Sequence, residues 1–228
     1  MAIENAYTEY FNNADQAKGY AAEPSKFMPG YDAMHRMASV LLNEHVPREG
    51  VIVVHGAGGG LELENFANFN KHWSFFGVDP AKPMLDEAQK RLEPLKNRAT
   101  LHHGLIFDAP DRAFDAATSL LTLHFLDPED RAHTVSEIVR RLKPGAPFIA
   151  VHCSFPQKEK SIWLSRHLNY TIASGVNAEI AERGCRDIEN ILPVLSPEED
   201  EAILRAGVLK NVTQFYAAFT WRGWVGFA

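Results

Sequence analysis

The chain has 228 residues, 46% hydrophobic and 23% charged, which excludes a mainly disordered or fibrous protein. Its 23 Lys and Arg against 29 Asp and Glu leave a net charge of −6. That disfavours a non-specific nucleic-acid binder, which needs excess positive charge. Cys153 and Cys185 form no disulfide framework and no CxxC pair, which suits a reducing compartment. The first residues lack a basic stretch followed by an apolar run, and no apolar run reaches the roughly 20 residues that span a bilayer. The expectation is a single cytoplasmic domain over residues 1–228, with no membrane partner.

Residues 1–30 are polar and aromatic and read as an N-terminal cap that ends in Pro29-Gly30. Residues 31–46 then carry apolar side chains at helical spacing, up to the break at Pro47–Gly50. Residues 51–54 are β-branched without alternation, as in a strand buried on both faces. A glycine-rich stretch over 56–60 follows, then a helix from Leu61. A second strand over 73–78 ends on Asp79-Pro80, and 81–96 is helical. Residues 100–103 and 114–121 read as a third and a fourth strand.

Asp127-Pro128-Glu129-Asp130 opens a helix with capping chemistry, which stops at Lys143-Pro144-Gly145. Residues 148–152 are a fifth strand. The rhythm breaks over 155–205, which reads as a helical insertion or lid over the C-terminal edge of the sheet. Within it, Ser196-Pro197 followed by acidic residues marks a helix start. Residues 212–219 and 224–227 read as an antiparallel hairpin turning at Trp221-Arg222-Gly223. Strands alternating with helices predict an α/β fold with a mostly parallel sheet.

A glycine-rich turn between strand and helix lets a ligand approach backbone and helix N-terminus. Asp79 ends the second strand 23 positions after Gly56, where a carboxylate can accept from ribose hydroxyls. Together they predict an adenosine-containing ligand. A dinucleotide fingerprint would place Gly or Ala at position 61, but Leu61 stands there. That, with the terminal hairpin, disfavours a nicotinamide dehydrogenase.

The stretch Val51 to Gly60, then Gly77-Val78-Asp79-Pro80 with Met84-Leu85, and Leu142-Lys143-Pro144-Gly145 resemble the class I S-adenosylmethionine-dependent methyltransferases. The resemblance implies a Rossmann-like, seven-stranded sheet with helices on both faces and an antiparallel C-terminal hairpin. Met28-Pro29-Gly30-Tyr31 and residues 122–128 are similar, more closely, to bacterial tRNA wobble-uridine carboxymethyltransferases, which use carboxy-S-adenosylmethionine.

Carried over, the resemblance places Tyr31 at the cofactor's amino-acid end and Gly56, Ala57 and Gly58 in the cofactor loop. It places Asp79 and Pro80 by the ribose, Leu105 and Ile106 by the adenine, and Leu120 at the end of the fourth strand. Three positions depart from the family. Val54 stands where an acidic residue usually precedes the glycines, Leu105 replaces an acidic residue, and Leu120 replaces an asparagine. The arginine that recognises the carboxy group aligns near Gly184, with Arg183 and Arg186 beside it.

His124 follows the fourth strand, where the transferred methyl should lie, and is the candidate general base. Packing at a strand-to-helix junction is its alternative role. Trp163, Arg166, His167 and Tyr170 share one helix face and line either a substrate site or the insertion's buried side. No metal site is expected. The expected activity is methyl transfer from S-adenosylmethionine to an unidentified acceptor, either a small molecule or tRNA. A tRNA modifier using the carboxy cofactor and a non-catalytic binding protein are the alternatives. The resemblance further suggests a homodimer.

Overall fold

The computed structural model describes residues 10–20 and 24–228. The rest of the expected N-terminal cap lies outside the described residues. The helices are α1 (Ala14–Tyr20), α2 (Pro24–Phe27), α3 (Tyr31–His45), α4 (Leu61–Phe69), α5 (Lys82–Arg91), α6 (Pro128–Val139), α7 (Lys160–Ala173), α8 (Ala178–Asn190) and α9 (Pro197–Ala206). The strands are β1 (Val51–His55), β2 (Ser74–Asp79), β3 (Ala99–His103), β4 (Ala116–Leu120), β5 (Pro147–Cys153), β6 (Lys210–Ala218) and β7 (Trp221–Phe227).

They form one sheet in the order β3-β2-β1-β4-β5-β7-β6. The first five strands are parallel, with Val53 opposite both Phe76 and Ala117. Strand β7 runs antiparallel to β5, from Pro147 opposite Phe227 to Cys153 opposite Trp221. The expected mostly parallel sheet with an antiparallel hairpin is therefore present.

Burial explains the strand pattern. All of β4 and β5 and the centre of β1 are buried, so neither face calls for polar residues. Successive side chains still point to opposite faces. Ile52 and Val54 join Met34, Leu42, Leu63, Phe66 and Leu85 on the side of α3, α4 and α5. Val53 joins Val135, Ile138, Leu204 and Trp224 on the side of α6 and α9.

Residues 155–205 divide in two. Helix α9 packs on α6 and β6 as part of the second layer. It starts with a capping box in which Ser196 Oγ accepts the Glu199 N–H and Glu199 reaches back to the Ser196 N–H. Helices α7 and α8 pack on each other. The predicted face of α7 meets the hairpin: His167 Nδ1 pairs with Thr220 Oγ1 at 3.0 Å, and Tyr170 packs 6.1 Å from Phe219. Arg166 lies over the Trp163 ring at 4.6 Å.

The hairpin turn is Phe219-Thr220 rather than Trp221–Gly223. Phe219 takes the left-handed conformation at φ 50°, and Trp221–Gly223 are strand. Gly223 serves close packing instead. A Cβ there would sit 3.0 Å from Val151 and 3.1 Å from Phe215. The hairpin also holds the start of α3. Tyr216 donates its hydroxyl to the Pro29 carbonyl, and Trp221 Nε1 donates to Phe27 O at 3.2 Å.

A buried charge cluster joins α6, β5 and α9. Arg131 donates to Asp200 Oδ1 at 2.5 Å, and His152 Nε2 lies 3.1 Å from the same oxygen. Arg131 also donates to the carbonyls of Leu126 and Pro193. Burial alone would raise the Asp200 carboxyl, but His152 and Arg131 outweigh it and hold it below 3.8. Its contribution to stability is therefore complete at neutral pH and is lost only as pH falls through the folded value. Asp200→Asn leaves Arg131 buried and uncompensated. The expected loss is about 3 kcal/mol or more in urea unfolding at pH 7 with an unchanged m-value, and a loss below about 1 kcal/mol contradicts this role.

Candidate functional site

At the C-terminal ends of β1, β2 and β4 lies a cavity of about 550 Å³, within the usual range for small-molecule sites. The chain reverses above β1 between Gly56 and Gly60. Gly56 N–H and Ala57 N–H both donate to Val78 O, at 2.9 and 3.0 Å, so the reversal is fastened to β2. Gly56 has φ 77°, and a Cβ there would lie 2.0 Å from Thr122 Oγ1. Both space and conformation therefore require glycine. Gly60 N-caps α4 without a side-chain cap, so the helix N-terminus opens toward the loop.

Asp79 organises the other side of the loop. Its Oδ2 accepts the Gly58 N–H and its Oδ1 the Ala81 N–H, both at 2.8 Å. Burial pushes this carboxyl up, and the two N–H bonds pull it back. Each oxygen keeps a further lone pair, which is what a ribose diol would use. Beyond β3, Leu105 and Ile106 add an apolar wall, and the Leu105 N–H is tied to Asp108 Oδ2 at 2.8 Å.

All nine residues expected to bind the cofactor line this one cavity: Tyr31, Gly56, Ala57, Gly58, Asp79, Pro80, Leu105, Ile106 and Leu120. His124 does not. Its ring is buried 4.2 Å from the ring of Phe125 and 5.6 Å from that of Trp221, and its Nδ1 accepts the Cys153 N–H at 3.4 Å. Burial, then His152 and Arg131, hold it well below 6.5. Its neighbour Phe125 lines the cavity instead, packed against Phe11. Trp163, Arg166, His167 and Tyr170 also lie off the cavity wall.

Four features of the wall lie outside the sequence expectation. Leu121 sits at φ 58°, an unfavourable backbone for a side-chain-bearing residue. His55 pairs with Ser119 Oγ at 2.9 Å and is pushed down to about 4 by burial. His35 donates Nδ1–H to Tyr31 O at 3.1 Å, and burial lowers it too. Glu62, in the first turn of α4, is 6% exposed and accepts the Thr118 hydroxyl from β4. Burial raises its carboxyl to about 8, against the opposing Thr118 hydrogen bond.

No Lys or Arg lines the cavity among the described residues, and residues 1–9 and 21–23 contain neither. Arg91 stands outside, donating to Gly59 O at 3.0 Å and pairing with Glu64 at 2.8 Å.

Glu62 leaves a signature in the free protein. The unfolded chain releases its proton near 4.5, whereas the folded chain keeps it to about 8, so stability falls as pH rises between those values. Glu62→Gln removes that slope. Relative to wild type, the variant is expected to gain at least about 1 kcal/mol between pH 5 and pH 8, read from urea midpoints without ligand. An unchanged difference at the two pH values contradicts the assignment.

Residues 52–145 match the family described as methyltransferase domain. The chain is 22% identical over 229 residues to the carboxy-S-adenosyl-L-methionine synthase of Staphylococcus epidermidis, covering 97% of this chain and 96% of that protein. It is 30% identical over 146 residues to the demethylmenaquinone methyltransferase of Symbiobacterium thermophilum, covering 58% of this chain and 57% of that protein. Its fold matches a Haloferax volcanii methyltransferase, solved with the Trm112 activator, at TM-score 0.68 and 18% identity over 100% of this chain and 99% of that one. The glycine loop and the strand-ending Asp79 lie inside the matched stretch, and residues 52–145 carry a class I S-adenosylmethionine-dependent methyltransferase domain.

Proposed function

We propose that this S-adenosylmethionine-dependent methyltransferase uses the plain methyl donor and modifies a small, uncharged, largely apolar molecule. The observation that carries the reading is the cavity wall: apolar and aromatic, bearing Glu62, Asp79 and Asp130, with no Lys or Arg. A donor with a carboxylate on its transferred group would need a cation there. Arg183 and Arg186, the sequence candidates, lie on α8 away from the cavity, and Arg186 pairs with Glu182 at 3.7 Å. An RNA acceptor would likewise favour a basic rim, while the chain carries a net charge of −6. The relative named for demethylmenaquinone acts, by its name, on an apolar quinone.

The residues present fit the donor part by part. Asp79 meets the ribose, Leu105 and Ile106 bury the adenine, and the Gly56–Gly60 backbone admits the chain between them. The donor supplies a methyl group on a sulfonium, already a good leaving group. What remains for the protein is positioning and exclusion of water. Phe11, Tyr20 and Phe125 give the wall aromatic faces that suit both a cationic sulfonium and an apolar acceptor. Tyr20 keeps its proton, since burial pushes its hydroxyl up. The reading asks for no base from His124.

The test is methyl transfer from methyl-labelled S-adenosylmethionine, offered in parallel to a lipid-soluble cell extract and to total tRNA. Label is expected in the solvent-extractable fraction and not in tRNA. Calorimetry is expected to show carboxy-S-adenosylmethionine binding at least about tenfold more weakly than S-adenosylmethionine, the difference of one missing charge pair. Label in tRNA, or tighter binding of the carboxy form, overturns the proposal.

A further inference from the structure

We infer that Glu62 binds the α-ammonium group of the donor, on the side of the glycine loop opposite Asp79, in place of a carboxylate that β1 does not supply. The inference rests on the S-adenosylmethionine reading above.

The end of β1 has no acid to offer. Val54 is fully buried and packs in the core beneath α3 and α4. The next carboxylate along the chain enters from the far end of the loop, on the first turn of α4. Its place is fixed by Thr118, whose hydroxyl it accepts from β4. The sheet order β2-β1-β4 then decides the geometry. Asp79 ends β2 on one side of the loop, and Glu62 is tied to β4 on the other. A ligand whose ribose meets Asp79 and whose chain passes over the loop brings its amino-acid end toward Glu62. Tyr31, expected at that end, lines the same cavity and feels the Glu62 charge.

Among the described residues no cation neutralises Glu62. The cavity wall carries no Lys or Arg, and Arg91 is engaged by Gly59 and Glu64. It bonds Thr118 from β4, acts on Tyr20 from α1 and Tyr31 from α3, and shares the cavity with His35 from α3, His55 from β1 and Asp79 across the loop. Burial keeps both tyrosine hydroxyls protonated and both histidines neutral. A buried carboxyl among neutral groups lacks a cation, and the ligand's ammonium supplies one. Because the free carboxyl holds its proton to about 8, binding the ammonium releases that proton, and affinity rises with pH.

The experiment compares two ligands by calorimetry. S-adenosylhomocysteine carries the amino-acid end, and 5′-methylthioadenosine carries adenine and ribose without it. In Glu62→Gln at pH 8, homocysteine-ligand affinity is expected to fall about ten- to a hundredfold, with methylthioadenosine affinity within about twofold of wild type. In wild type, between pH 6.5 and pH 8, affinity for S-adenosylhomocysteine is expected to rise about tenfold while that for methylthioadenosine stays flat. Titration of Asp79 would move both ligands together, so their difference isolates Glu62. Equal loss of both ligands in the variant, loss of neither, or a flat wild-type profile for S-adenosylhomocysteine overturns the inference and leaves the donor reading intact. Failure of wild type to bind either ligand is a different result, and it overturns the donor reading itself.

Discussion

The site depends on how β1 hands the chain to α4. The reversal occupies only Gly56 to Gly60, and three of those glycines have positive φ. Two N–H groups converge on Val78 O and a third on Asp79 Oδ2. This fastening has three consequences. It aims the uncapped N-terminus of α4 at the cavity, and it sets Asp79 with its remaining lone pairs facing the ligand. It also fixes the phase of α4, so that Glu62 in the first turn points inward. A loop one residue longer would change which side chains line the cavity while leaving the sheet as it is.

The protein buries polar groups in two distinct ways. Away from the cavity, Arg131, Asp200 and His152 compensate one another, and Arg131 also bonds two carbonyls. Such a cluster ties α6, β5 and α9 together, with opposite charges facing each other inside the protein. At the cavity, by contrast, burial drives His55 and Glu62 toward neutrality with no opposite charge facing them, and at His35 it outweighs the nearby Asp32. Neutral forms reduce the cost of burial but leave hydrogen-bonding capacity unused. A cluster that compensates itself reads as architecture. One that waits for a counter-charge reads as a binding site.

Much of this was legible in the sequence. A strand buried on both faces shows no alternation, and residues 51–54 have none. A helix start needs a cap, and Ser196 and Asp127 advertise theirs. The cavity wall was legible because the glycine loop and Asp79 are tied by backbone geometry, which spacing records. The hairpin turn was not, because the turn sits at Phe219, a residue that rarely takes positive φ, while nearby Gly223 invited the assignment. His124 sits at the expected strand end, but a ring's burial depends on Trp221 and Cys153, distant in the chain. Glu62 did leave a signal. It stands four residues before Phe66 on the apolar face of α4, where an acid is out of place.

The two ends of the sheet are built differently, and the difference locates function without reference to any relative. At the N-terminal ends of the strands, Asp115 and Arg98 find their partners within the protein. Asp115 accepts the Val51 N–H and pairs with Lys143 at 2.6 Å, and Arg98 donates to the carbonyls of Ala67, Asn70 and Trp73. At the C-terminal ends of β1 and β4 the unfavourable features collect: Leu121 in a left-handed backbone, a neutral buried His55 and a desolvated Glu62. Strain such as that of Leu121 costs on the order of 1–3 kcal/mol, and it persists only where its surroundings hold it. Here they do, since Leu121 N–H donates to Val151 O at 2.6 Å, and Thr122 closes on Gly56. Selection for stability alone would not gather strain and desolvated groups around one cavity, so their convergence marks the edge at which this chain meets its ligand.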